Sequence, residues 1–303
     1  MKAAQRILVI KTGAAGDIVR SSILFHLFPD AEWHWICSAD YFPLFADRPG
    51  LTLYAESALP ESVFSIPFDL VISLEEDFPL ADYGSRFQYK QWEGLYWQNG
   101  LHYTANAASW YDRSLCSALG RDQANALKKA GTRTYQDYLC QMLGKSFNGE
   151  PYAIFQPVKQ PATKRIGIET RAAGRWPNKI WEGYADLSAR LTAAGYEVFH
   201  FVQRDHLRDY MQEIARCELL VTGDTLSMHL ALAYNIPTVA LFICTQPTEI
   251  FGYGCLEKIV HPNWEDYFFA QSYNPAAVGG IPVETVFNRV TNLYQKRQET
   301  VAG

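Results

Sequence analysis

Ile7-Leu8-Val9-Ile10-Lys11-Thr12-Gly13-Ala14-Ala15-Gly16-Asp17 is the stretch whose reading decides the fold. Four apolar residues, mostly β-branched, run together as they do in a parallel strand buried on both faces. Lys11 ends the run, and Gly13 and Gly16 punctuate a turn. Beyond Asp17 the apolar positions Ile18, Ile23, Leu24 and Leu27 fit one helical face, and Pro29 stops it. Strand, tight turn and helix open an α/β unit. Residues 33–37 and 69–73 read as further strands and residues 41–46 as a helix, an order that argues for a parallel sheet.

Working outward, residues 76–132 change character. Phe78, Tyr83, Phe87, Tyr89, Trp92, Tyr96, Trp97, Tyr103, Trp110 and Tyr111 fall here without clear periodicity, and the segment reads as short helices and loops on the rim of the first domain. Such aromatics serve equally as ordinary packing or as stacking surfaces for a ligand. Residues 134–143 predict an amphipathic helix ended by Gly144. Pro151, Pro157, Pro161 and Gly149 mark residues 146–163 as a linker. A second α/β unit follows, with strands at 165–168, 196–202, 219–221 and 238–242. Its helices are read at 178–194, closed by Gly195, and at 207–216, 226–234 and 283–296. The chain of 303 residues thus divides into domains at 1–150 and 151–303, in keeping with about 100–200 residues per domain.

The formal net charge is −5, which argues against a protein that grips nucleic acid through a basic excess. The six cysteines, Cys37, Cys116, Cys140, Cys217, Cys244 and Cys255, form no CxxC pair and read as buried free thiols of a reducing cytoplasm. The N-terminal apolar run is too short for a signal peptide, and no stretch reaches the roughly 18–20 apolar residues of a membrane span. A cytoplasmic protein is expected, with contact at a membrane surface left open.

Three segments carry the chemistry. In Lys11-Thr12-Gly13-Ala14-Ala15-Gly16-Asp17, backbone N–H groups and the positive end of a helix converge on a spot suited to an anion or polar ligand. The spacing is neither a dinucleotide fingerprint nor a P-loop. Asp17 reads either as a helix-start carboxylate or as a general base at the carboxyl edge of the sheet. In the second segment Asp224, Thr225, Leu226 and Ser227 stand between a strand and a helix, with His229 one turn in. The N–H groups at such a start suit a phosphate, although Asp224 or Thr225 can be a cap and His229 a core residue. The third segment, Glu169-Thr170-Arg171 to Gly174-Arg175-Trp176-Pro177-Asn178-Lys179-Ile180-Trp181, gathers two arginines and a lysine before a predicted helix start. Cations there oppose the helix dipole, so an anion or solvent must compensate them.

Taken in order, these segments resemble the heptosyltransferases of glycosyltransferase family 9. The opening strand with its Gly-Asp turn, Arg175-Trp176-Pro177 with Trp181, Asp224-Thr225 with Met228-His229, and Pro237–Phe242 followed by Thr245 and Pro247 follow the family's succession. The resemblance implies a GT-B fold, two Rossmann-like domains facing a central cleft. It also implies an inverting, metal-independent sugar transfer with no cofactor beyond a nucleotide-sugar co-substrate, ADP-linked heptose by family default. The acceptor, a glycan or lipid-linked molecule, would dock on the first domain beside Lys11, Thr12, Gly13 and Gly16. By the same carry-over Asp17 is the catalytic base. Thr170, Arg171, Arg175, Asp224, Thr225, Leu226, Ser227 and His229 would hold the donor diphosphate. Leu226 stands where the family has glycine, and Gly174 about where it has lysine. Two other readings remain open: a non-catalytic member that binds a sugar nucleotide or a partner, and an NAD(P)-dependent oxidoreductase, which lacks its fingerprint here.

Overall fold

The structure, a computed structural model, describes residues 4–45, 48–76, 83–158, 165–172, 174 and 176–302. Residue 46 of the helix predicted at 41–46, Phe78, the linker residues Pro161 and Thr163, and the candidate site residue Arg175 lie outside the described residues. Residues 1–155 and 156–303 form two compact units.

The first unit is a six-stranded sheet in the order β3-β2-β1-β4-β5-β6. Its strands are β1 (Arg6–Ile10), β2 (Glu32–Cys37), β3 (Leu51–Ala55), β4 (Pro67–Ser73), β5 (Gln88–Trp97) and β6 (Leu101–Tyr103). All neighbours are parallel except β5 and β6, which form an antiparallel hairpin. The chain runs outward from β1 through β2 to β3, then returns to the other side of β1 with β4. The order therefore reverses between β1 and β4, the place where open α/β sheets leave a crevice at their carboxyl edge. Leu8, Ile10, Ile36, Phe68 and Val71 form one core with Val63, Phe64 and Phe87. Trp35 is fully buried, its ring 4.7 Å from that of Phe45.

The second unit is an all-parallel sheet in the order β11-β10-β9-β7-β8. Its strands are β7 (Arg165–Ile168), β8 (Glu197–His200), β9 (Leu219–Gly223), β10 (Thr238–Phe242) and β11 (Leu256–Val260). Here the order reverses between β7 and β9. Ile166, Ile168, Leu219, Val221, Val239 and Leu241 meet Trp181, Leu187, Leu191, Val286 and Val290 in one core. The last two belong to the long helix Val283–Ala302, which packs on the helix Tyr184–Ala193. Both sheets are flanked by helices, and the chain has the GT-B-like architecture of two Rossmann domains.

Several predicted elements change. Residues 76–132 are not only short helices and loops: Tyr89, Trp92, Tyr96 and Trp97 lie on the ten-residue strand β5, whose first half is exposed. Exposure on both faces removes the alternation that marks a strand. The predicted helix at 41–46 is instead a 3₁₀ segment, Ala39–Leu44, with Pro43 inside it. Proline supplies no N–H and crowds the preceding turn, which shortens the helical run. The predicted helix 178–194 splits into a 3₁₀ turn, Pro177–Lys179, and the helix Tyr184–Ala193. The break is held by side chains: Asn178 Nδ2 donates to Ser272 O at 2.9 Å, its Oδ1 accepts Asn274 N–H at 2.8 Å, and Trp181 Nε1 donates to Ile281 O at 2.9 Å. The helix 135–142 matches its expectation closely: Thr134 and Asp137 form a capping box, and Gly144 takes φ +64° just beyond its end.

Candidate functional site

At the end of β1 the chain is tied into the sheet on both sides. Lys11 N–H donates to Ile36 O at 3.1 Å and Leu74 N–H to Ile10 O at 2.9 Å. Lys11 is buried, and its Nζ lies 4.0 Å from Glu75 Oε1. Glu75, also buried, follows β4 on the far side of the switch point and accepts the Thr12 N–H. Tyr111 clamps this exit, its hydroxyl lying 2.8 Å from Ser73 O and 3.0 Å from Glu75 O. Burial raises the Glu75 carboxyl pKa above its ordinary value, against the opposing pull of Lys11 and the Thr12 N–H. The sequence reading missed Glu75. Its only signal was a carboxylate two residues past a buried strand.

Gly13 has room around it: a Cβ there would come no nearer than 3.9 Å, to the Tyr41 ring. The helix Ala15–Ser21 then starts with Ala14 at the capping position. Asp17 is the third helical residue and pairs with the Arg20 guanidinium one turn on, keeping 32% of its side chain exposed. Arg20 lies 4.0 Å over the Tyr135 ring, and the Tyr135 hydroxyl meets Ser21 Oγ at 2.7 Å. Asp17 is thus oriented by a cation that is itself fixed from behind. Lys11, Thr12, Gly13, Gly16 and Asp17 all fall on this one carboxyl-edge loop and helix start.

The second unit repeats the arrangement at its own switch point. β9 ends at Gly223, and Thr225 caps the helix Leu226–Ala233 in extended conformation without a side-chain capping bond. Instead its hydroxyl joins two others: Thr222 Oγ1 lies 2.6 Å from Ser227 Oγ, Thr225 Oγ1 lies 2.7 Å from it, and the two threonines are 3.1 Å apart. Leu226 is the first helical residue and half-buried, while Ser227 and His229 are buried. The N–H groups of a first helical turn have no intrahelical acceptor, so this start is equipped for an anion.

Two ion pairs flank that turn. Lys179 Nζ donates to Asp224 O at 2.7 Å and to Asp224 Oδ2 at 3.1 Å. Gly223 allows the approach, since a Cβ there would lie 3.1 Å from Lys179 O. On the β7 side Arg171 forks onto the buried Glu169, with Nε at 2.9 Å from Oε1 and Nη2 at 2.7 Å from Oε2. Thr170 stands half-buried between them. Asp224, Thr225, Leu226, Ser227, Thr170 and Arg171 therefore gather at the β7/β9 switch point. Lys179, read only as one cation of three, joins them. It sits on a 3₁₀ turn rather than at a helix start, so the predicted conflict with a helix dipole does not arise for it. Glu169, which opens the third segment and was given no role there, is the residue just after β7. Among the described residues no group of three or more His, Cys, Asp or Glu is placed to hold a metal ion, and no helix is long and apolar enough to cross a membrane. Five cysteines are buried free thiols; Cys116 departs from expectation in being only half-buried.

Solved structures share this fold over nearly the whole chain. A glycosyl transferase family 9 protein from Veillonella parvula is similar at TM-score 0.65 and 16% identity, covering 96% of this chain and 97% of its own. The E. coli ADP-heptose LPS heptosyltransferase II is similar at TM-score 0.64 and 18% identity, covering 97% and 100%. The E. coli heptosyltransferase WaaC with ADP follows at TM-score 0.63 and 13% identity, covering 95% and 100%. No curated protein sequence matches the chain. Residues 202–268 match the family model for Glycosyltransferase family 9 (heptosyltransferase). Over that segment the chain resembles glycosyltransferase family 9. The matched segment holds β9, the Thr222–Ser227 turn and β10, so the family match and the second switch point coincide.

Proposed function

We propose that this chain is a glycosyltransferase that moves a sugar, heptose by the default of the family it resembles, from a nucleoside-diphosphate donor to the hydroxyl of a glycan or lipid-linked acceptor, with inversion at the anomeric carbon. The carboxyl edge of the second sheet holds the donor and that of the first the acceptor. The observation that carries the reading is positional: Asp17 and the Thr222–Ser227 turn each stand at the switch point of their own sheet.

In the proposed step the Asp17 carboxylate takes the acceptor O–H proton while the oxygen attacks the anomeric carbon. The bond from that carbon to the diphosphate oxygen breaks, and the diphosphate leaves with the electron pair. Its charge is met by the N–H groups at the start of the Leu226–Ala233 helix, by Thr170 and by Lys179, without a metal ion. Arg171, Arg175, Asp224 and His229 complete the donor set carried over from the family. The reaction is assigned to the cytoplasm, with peripheral membrane contact where the acceptor is lipid-linked. A binding-only member is the second reading, favoured by Leu226 in place of the family's glycine and by the carboxylate that each of Arg171 and Lys179 engages.

A thermal-shift panel of ADP, UDP, GDP, dTDP and NAD tests the donor half. A ligand at a hundred times its Kd stabilises the folded state by about 2.7 kcal/mol. A rise with one nucleoside diphosphate is expected, and a rise with NAD alone overturns the reading.

A further inference from the structure

The β5–β6 hairpin projects past the carboxyl edge of the first sheet. Gly94 pairs with Ser73, the last residue of β4, and β5 runs on through Leu95, Tyr96 and Trp97 before the chain turns back into β6. Residues directly opposed in an antiparallel pair share a face. Leu95 with Tyr103 and Trp97 with Leu101 therefore lie on one face, and Tyr96 with His102 on the other. Contacts identify what lies against the first face. The Tyr103 ring stacks on that of Tyr111 at 5.3 Å, and its hydroxyl donates to Asp112 Oδ1 at 2.6 Å and accepts the Ala118 N–H at 3.2 Å. Residues 111–118 are thereby laid along the face that carries Trp97 and Leu101, with Leu119 following at once.

The apolar side chains of these two segments are not all covered. Leu95 is fully buried, but Trp97, Leu101, Leu115 and Leu119 are each between 36% and 51% exposed. Single exposed apolar residues are ordinary; four on two adjoining segments mark a contact surface. The same stretch is the basic part of an acidic chain. Residues 113–133 hold Arg113, Arg121, Lys128, Lys129 and Arg133 against Asp122, five positive charges less one negative for a net of +4, while the whole chain carries −5. Arg121 is exposed and opens the helix Arg121–Lys129 two residues after Leu119. Glu76 borders the patch through its carbonyl, which accepts the Cys116 thiol at 3.0 Å. An indole and leucines edged by cations fit the boundary layer of an anionic bilayer. The apolar groups enter between headgroup and acyl chain, and the cations meet the lipid phosphates.

We infer that the Trp97–Leu101 hairpin and the segment from Leu115 to Leu119 form a docking face for an anionic lipid bilayer. The inference rests on the lipid-linked acceptor of the proposed function and gives that acceptor a surface to arrive on. Docking through the hairpin brings the carboxyl edge of the first sheet, with Asp17, toward the headgroups.

The test is co-sedimentation of the full chain with vesicles of phosphatidylcholine alone, and of phosphatidylcholine with phosphatidylglycerol at about three to one. Wild type is expected to pellet with the mixed vesicles and to release as salt rises from about 0.1 M to about 0.5 M. Trp97→Ser and the double variant Leu115→Ser/Leu119→Ser should each lower the partition coefficient by about tenfold or more. Arg121→Glu should weaken binding to the mixed vesicles by about fivefold or more and leave binding to phosphatidylcholine unchanged. Melting temperatures should stay near that of wild type, because the substituted side chains are exposed. Wild type left in the supernatant, or variants that pellet as wild type does, overturns the inference. So does a wild-type dimer in light scattering that the leucine substitutions dissolve, since a second copy of the chain would then cover this face. Vesicle binding by a chain that takes up no nucleoside diphosphate sinks the donor reading and leaves the docking face standing.

Discussion

Lys179 grips Asp224 twice, through the backbone carbonyl at 2.7 Å and the carboxylate at 3.1 Å. The contact ties the 3₁₀ turn Pro177–Lys179 to the loop that opens the Leu226–Ala233 helix. It places one ammonium beside the proposed diphosphate and leaves it balanced by one carboxylate. Arg171 with Glu169 repeats the balance on the other side. Anion binding at the turn between them, as proposed, would therefore rely on oriented N–H groups as much as on excess charge.

Lys179→Met should disturb both roles. Both side chains are 17% exposed, so Asp224 would be left partly buried without its cation. Urea unfolding should show a loss of about 1–3 kcal/mol, the cost of stranding such a group. Nucleoside-diphosphate affinity should fall by about tenfold or more in titration. Wild-type affinity in this variant would remove Lys179 from the donor site.

Gly94 anchors the seam between β4 and β5. It takes φ +109°, and a Cβ would stand 1.9 Å from Ser73 O. The obstacle is backbone, so no side-chain rotation relieves it. Gly94→Ala should cost about 3 kcal/mol or more in chemical denaturation. Wild-type stability would contradict the close pairing of Gly94 with Ser73.

The parts of the fold that were legible in the sequence are those buried on both faces. β1, β7, β9 and β10 are continuous apolar runs, and each was read within a few residues. β3 and β11 are sheet edges, where Thr52, Glu257 and Lys258 interrupt the apolar pattern, and neither was read. The site shows the same division. Asp17, Thr225 and Ser227 lie at the helix starts that follow buried strands, so their places in the fold could be read from position. Glu75 and Lys179 reach their places through tertiary contacts, with partners at Thr12 and Asp224. No local spacing encodes those pairs.

Glu75 gives a pH signature. Burial raises its pKa in the folded protein, so the folded state holds this proton more readily than the unfolded one. The protonated form's contribution is full below the unfolded value, about 4.3, and is lost as pH rises through the folded value. Glu75→Gln keeps an acceptor for the Thr12 N–H but does not ionise. Its stability relative to wild type should therefore increase between pH 4 and pH 7, read from urea midpoints. A flat or falling difference would show that Lys11 and Thr12 outweigh burial.

His34 shifts the opposite way. Burial lowers its pKa despite the Glu32 carboxylate at 3.3 Å. The unfolded chain takes up this proton near pH 6.5 and the folded chain does so only at lower pH. Stability should fall as pH drops below about 6.5. His34→Gln, which can still bond to Tyr54, should flatten that fall between pH 7.5 and pH 5. An unchanged slope would assign it to other groups, His26 among them, whose pKa burial also lowers.

Asp17→Asn bears most directly on the proposed chemistry. The substitution keeps the side chain's size and removes its capacity to take a proton. With the donor nucleotide found by thermal shift and its sugar conjugate supplied, turnover should fall by about 10²–10⁴-fold, the range of general-base catalysis. Nucleoside-diphosphate affinity, which the proposal assigns to the second sheet, should stay at the wild-type value. Undiminished turnover in this variant would contradict the account.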